Sequence, residues 1–164
     1  MIVTINTIAF IAGEWEGTGR AEYPTIAPLD YKENLAISLN KKDSVLHYEQ
    51  RTWVKSSDQR NDEPIFWESG FIIDKGEGMF MLVSAQKSGR VETLNGTAEQ
   101  LDGGRIKLML DSVSIHNDER MVQSRRILHL SHDALHYEHA MSTTTNKEMK
   151  RHLSAQLKRR KLSA

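Results

Sequence analysis

The sequence predicts an all-β fold: a single up-and-down antiparallel barrel of about ten strands over residues 1–164, with short terminal helices. Three observations predict it. Short runs rich in apolar and β-branched residues follow one another through most of the chain. Turn signals separate them at regular intervals. Late in the chain the alternation is strict: Leu135, Tyr137, His139 and Met141 fall on one face, and His136, Glu138, Ala140 and Ser142 on the other. A chain of hairpins exposes two sheet edges unless it closes on itself, which favours a barrel.

Taken in order, residues Asn6 to Ala12 read as a short helix ahead of a glycine-rich segment. Strands are expected at Leu35–Leu39, Val45–Val54, Phe66–Ile73, Met79–Gln86, Gly89–Leu94, Arg105–Leu110, Met121–Leu130 and Leu135–Thr143. The intervening turns are Asn40–Asp43, Asp74–Gly78, Asn95-Gly96, Asp102–Gly104, Asn117-Asp118 and His132-Asp133; Asn-Gly and Asp-Gly supply the positive φ that tight hairpins need. A second helix is expected from about Lys147 into the tail, with Asn146 as its N-cap. The basic run Lys158-Arg159-Arg160-Lys161 reads as a solvated terminus.

Composition excludes several classes. Lys plus Arg number 22 and so do Asp plus Glu, so the net charge is zero and no strong bulk attraction to nucleic acid is expected. The absence of cysteine removes disulfides, iron–sulfur clusters, thiolate zinc sites and thiolate-ligated or covalently attached haem. No run approaches the ~18 apolar residues of a membrane span. Met1 to Ala12 is apolar but lacks a basic leader, and reads as a structural lead-in to a cytoplasmic protein.

Two segments more than a hundred residues apart carry the chemistry. The first is Gly13-Glu14-Trp15-Glu16-Gly17-Thr18-Gly19, followed by Tyr23-Pro24-Thr25-Ile26. Its glycines, Gly13, Gly17 and Gly19, do not sit between a strand and a helix and lack a Gly-Lys-Ser/Thr ending, so a phosphate loop is excluded. A structural reading fits better: Trp15 plugs one end of a barrel, and the glycines let other backbone approach. A Gly-x-Trp start is shared by barrels of the lipocalin and fatty-acid-binding-protein type. The second segment is Met141-Ser142-Thr143-Thr144-Thr145-Asn146, followed by His152-Leu153.

Together these segments resemble the nitrobindins, with similar stretches in the same order between them: His47 to Trp53, Glu68-Ser69-Gly70-Phe71 and Ala85 to Glu92. The resemblance implies one ferric haem b per chain, held by His152 as axial iron ligand, with Thr25 against the haem. It also implies nitric oxide binding and isomerisation of peroxynitrite to nitrate. One departure stands out. Where the family often carries Met-His-Ala-Glu-Ser-Gly, this chain has Ile65-Phe66-Trp67-Glu68-Ser69-Gly70, so Phe66 and Trp67 are expected to line the cofactor pocket or to fill it. The competing reading is a carrier of a small hydrophobic ligand such as a fatty acid, its carboxylate met by Arg51 or Arg125. His132-Asp133-Ala134-Leu135-His136 has the outline of a zinc-protease motif but lies across a turn, so His129, His132, His136 and His139 are expected on the surface or in hairpins.

Overall fold

A computed structural model describes residues 1–161. Ten antiparallel strands close on themselves: β1 (Gly13–Ala21), β2 (Leu29–Asn40), β3 (Val45–Val54), β4 (Pro64–Gly76), β5 (Met79–Gln86), β6 (Val91–Gln100), β7 (Ile106–His116), β8 (Met121–Leu130), β9 (Ala134–Thr143) and β10 (Lys150–Arg159). Each pairs with the next, and β1 pairs with β10 to complete the barrel. The predicted alternation on β9 is borne out for Leu135, Tyr137 and Met141, which are buried in the core.

The helix expected near the start is shorter than predicted: α1 (Ile5–Ile8) continues as a single 3-10 turn, Ala9–Ile11. Thr4 caps α1 through a capping box, and the Ile5 amide donates to Asp74 Oδ2 at 2.8 Å. Val3, Ile5, Ile8 and Ile11 are buried, so this piece closes one end of the barrel. Trp15 sits on it as expected, 1% exposed, with its indole N–H donating to the Ile11 carbonyl at 2.9 Å.

The expected C-terminal helix is absent. Residues from Lys150 form β10, the strand that closes the barrel. Asn146 belongs to a turn whose amide bonds back to Thr143, not to a helix N-cap. Lys158 and Arg159 are likewise not a loose basic tail. Arg159 donates to the carbonyls of Phe10, Ala12 and His132, and its guanidinium lies 4.5 Å over the Trp15 ring. One cation thus ties the plug, β1 and the β8–β9 hairpin to the closing strand.

Two glycines of the first motif explain the seam. A Cβ on Gly17 would fall 2.1 Å from the Gln156 carbonyl oxygen of β10, and one on Gly19 would fall 2.3 Å from the Tyr31 ring. Asn95-Gly96 is not a turn but part of β6, where a Gly96 Cβ would meet the Met109 carbonyl at 1.8 Å. Close backbone approach, not positive φ, is what this Asn-Gly provides.

The interior is polar at its centre. Arg126 donates to both oxygens of Glu68, at 2.5 and 3.1 Å, to Glu92 at 3.0 Å and to Ser84 at 3.3 Å. Tyr48 donates to Glu68 at 2.7 Å, and Ser124 to Glu92 at 2.5 Å. Beside this network, the Tyr137 hydroxyl lies 2.8 Å from that of Tyr31, accepts from Gln50 at 3.1 Å and donates to Glu33. The positive neighbour Arg126 holds the Glu68 carboxyl down at about 2 against the opposing pull of burial.

Candidate functional site

The open end of the barrel is ringed by the segment after β1, the β5–β6 and β7–β8 turns and the β9–β10 connection. The two predicted motifs meet here. Ala21 is in register with Leu153, the Glu22 amide donates to the His152 carbonyl at 2.7 Å, and the Tyr23 ring lies 5.2 Å from the His152 imidazole.

A β-bulge places His152. Strict alternation along β10 would put it on the face opposite Leu153, but the register with β9 shifts between Arg151 and Leu153. The extra residue turns both His152 and Leu153 inward, so His152 is only 4% exposed. Its Nδ1 is buried without a hydrogen-bond partner. Burial, reinforced by the Lys150 charge, pushes the imidazole below the usual histidine range and favours its neutral form.

His152 borders a pocket of about 450 Å³, lined by Tyr23, Thr25, Met141 and the Thr143–Asn146 run among others. An adjoining lobe of about 420 Å³ shares Tyr23, Thr25, Arg90, Asp118 and Arg120 and is walled by Leu29, Ile65 and Phe66. Each lobe is within the ~300–1,000 Å³ of small-molecule and cofactor sites. Thr25 therefore stands where both lobes meet. Gly13, Trp15, Gly17 and Gly19 serve the plug and seam and do not line the mouth.

Phe66 and Trp67 part company. Phe66 faces inward, packs on the core and lines the second lobe. Trp67 also lines that lobe. It is 46% exposed, its indole N–H donates to Glu49 at 3.2 Å, and Arg51 lies 4.1 Å over its ring. Both aromatics line the second lobe, but strand alternation turns part of the Trp67 indole to the outer wall, so Phe66 is the one that fills space inside the barrel.

Deep inside the barrel there is neither room nor a free cation for a carried ligand. The cavity inside the barrel is about 50 Å³, far below a ligand pocket. Arg51 and Arg125 are on the outer wall, paired with Glu49 and Asp111. Arg126 does face the interior, and two glutamates already occupy it. One histidine also departs from expectation: His139 faces the interior, where burial and Arg126 push it down to about 3. His129 and His136 stack at 5.5 Å and His132 stacks on Phe10, as hairpin and wall residues. Among the described residues, no group of three histidine or carboxylate side chains is arranged to hold a metal ion. Nor is any helix there long and apolar enough to cross a membrane.

The structure is thus a closed ten-stranded barrel with a buried imidazole, its Nδ1 unpartnered, at the rim of a cofactor-sized pocket. The profile of the THAP4-like, haem-binding β-barrel domain matches residues 4–159, and the chain belongs to that family. It is 35% identical over 151 residues to an Arabidopsis thaliana protein named peroxynitrite isomerase Rv2717c, covering 92% of this chain and 86% of that one. It is 28% identical over 159 residues to peroxynitrite isomerase 2 of Mycobacterium ulcerans, covering 95% and 94% of the two chains. The crystal structure of Rv2717c from M. tuberculosis superposes with a TM-score of 0.85 at 26% identity, covering 98% of this chain and all of that one.

Proposed function

We propose that this protein binds one ferric haem b per chain at the mouth of the barrel, with His152 as the axial ligand, and isomerises peroxynitrite to nitrate. The observation that carries the reading is His152 itself. A bulge turns it inward, burial favours its neutral form, one ring nitrogen is unspent, and a cofactor-sized pocket lies against it. The residues present fit a haem: Met141, Thr143 to Asn146, Tyr23 and Thr25 form a wall of mixed polarity around the imidazole, and Leu29, Ile65 and Phe66 add apolar surface in the next lobe. The names of the relatives support the substrate.

Ferric haem held by His152 would supply a Lewis-acidic iron for the isomerisation of peroxynitrite to nitrate, which needs no outside oxidant or reductant. The chain's own part is to fix the imidazole, shape the pocket and exclude water. Proton transfer to or from a side chain is not demanded, so Phe66 in place of a histidine is compatible with turnover.

The test is a haem titration of the haem-free protein followed by visible absorption, for wild type and His152→Ala. A saturable one-to-one Soret change is expected in wild type and a loss of more than about 100-fold in affinity (~2.7 kcal/mol) in the variant. A haem-saturated preparation that leaves peroxynitrite decay and nitrate yield unaltered refutes the catalytic half.

A further inference from the structure

The mouth contains a guanidinium whose donors are largely unspent. Arg90 leads into β6 from the β5–β6 turn. It borders both lobes of the pocket and also the small void beneath them, which Phe66, His139 and Leu153 line. Its side chain is 14% exposed. Nη1 makes one long bond to Asp118, at 3.4 Å. Nε is buried without a partner, 3.6 Å from the Glu92 carboxylate and outside hydrogen-bonding reach. Nη2 makes no hydrogen bond among the described residues. Arg126, one layer deeper, makes four hydrogen bonds with the same kind of group.

The carboxylates facing Arg90 are committed elsewhere. Glu92 accepts from Ser124 at 2.5 Å and from Arg126 at 3.0 Å. Asp118 accepts from the Arg120 backbone at 3.2 Å and its Nε at 3.3 Å. They hold Arg90 in place without saturating it, and a buried cationic donor left unpaired is costly unless a ligand completes it. Other donors at the mouth are poorer candidates. Arg120 is 85% exposed, the Gln86 amide is engaged by Glu68 at 3.1 Å, and Phe66 brings no donor from β4. A guanidinium's planar fork matches a planar oxoanion in two hydrogen bonds.

We propose that Arg90 is the anion-holding residue of this site: its guanidinium receives the planar nitrogen oxoanion in the lobe lined by Phe66, supplying from the β5–β6 turn the polar contact that β4 lacks. This rests on the function proposed above and assigns its substrate contact. Arg90 would bind peroxynitrite on entry and nitrate before release.

The experiment uses nitrite, a stable planar nitrogen oxoanion, titrated into the ferric haem-loaded protein and followed in the Soret band. Arg90→Gln is expected to weaken nitrite by about 10-fold or more, Arg90→Lys by at least about 3-fold, and Arg120→Gln by less than about 2-fold. Haem affinity in Arg90→Gln should stay within about 3-fold of wild type. Nitrite binding unchanged in Arg90→Gln overturns the proposal. So does a loss of haem affinity with nitrite binding intact, which would make Arg90 a partner of a haem propionate. If Arg90→Gln does not fold, Arg90→Lys decides: it keeps a cation beside Asp118 and Glu92, and unchanged nitrite binding in it is equally fatal. If wild type takes up no haem, the function proposed above fails by itself. Nitrate titrated into the haem-free protein then tests Arg90 separately: a saturable shift of its Nε–H resonance supports the assignment, and none overturns it.

Discussion

Replacing Glu33 by glutamine should change how stability depends on pH. Glu33 faces the interior from β2, is 2% exposed and accepts a hydrogen bond from Tyr137. Burial outweighs that bond and pushes its carboxyl from 4.5 up to about 7. The folded protein therefore holds a proton that the unfolded chain releases between those values. Its contribution is fully present below about pH 4.5 and is lost as pH rises through about 7, a change of roughly 3 kcal/mol over the window. His139, held down at about 3, acts in the opposite sense: its folded form refuses a proton that the unfolded chain accepts, so stability rises with pH towards about 6.5. In wild type the two slopes offset one another; in Glu33→Gln only the histidine slope remains. Urea unfolding of the haem-free proteins, followed by tryptophan fluorescence between about pH 5 and about pH 8, measures the difference directly. The stability of the variant relative to wild type should rise by roughly 2–3 kcal/mol across that range. Curves that stay parallel within about 0.5 kcal/mol would refute the raised carboxyl and the desolvation argument behind it.

Three further outcomes follow from the geometry. Gly17→Ala drives a Cβ into the backbone of β10, 2.1 Å from the Gln156 oxygen and 2.9 Å from the Leu157 Cα, and should cost at least about 2 kcal/mol in a denaturant titration. Arg126→Met leaves Glu68 and Glu92 buried without their cation and should cost about 3–5 kcal/mol, lowering Tm by roughly 10 °C; replacing both glutamates by glutamine in the same protein should recover much of it. Trp67→Ala removes a ring from the outer wall and should leave haem affinity within about 2-fold, whereas a large loss would place the indole inside the pocket.

Most strands were legible because one face of each is buried. Val45–Val54 and Met79–Gln86 appear with the bounds their composition predicts. The failures have local causes. Asn95-Gly96 carries a strong hairpin signal, yet its glycine is needed for clearance inside β6, and pattern alone does not separate the two uses. The helix expected from about Lys147 gives way to a strand from Lys150, whose period of two is broken by the bulge that buries His152 and Leu153 in succession. His152 was found through its resemblance to a family segment and not through its spacing. Arg90, Arg126 and Glu68 left no trace in hydropathy, since a charged side chain facing inward looks like one facing water until its partner is placed beside it. Trp67 shows the converse: a large aromatic suggests burial, but its parity on β4 assigns it to the wall.

The bulge that turns His152 inward belongs to the strand that joins the two ends of the sheet. β10 has no place until β1 and β9 both flank it, and only then do the Glu22 amide and the Tyr23 ring come to rest beside the imidazole. The imidazole is therefore presented to a cofactor only once the sheet is complete. An iron bound at His152 would act as a clasp on the seam, raising the barrier to unzipping there above that at any other pair of strands. Hydrogen exchange along β1 and β10 would slow on haem uptake well before the hairpins on the far wall responded.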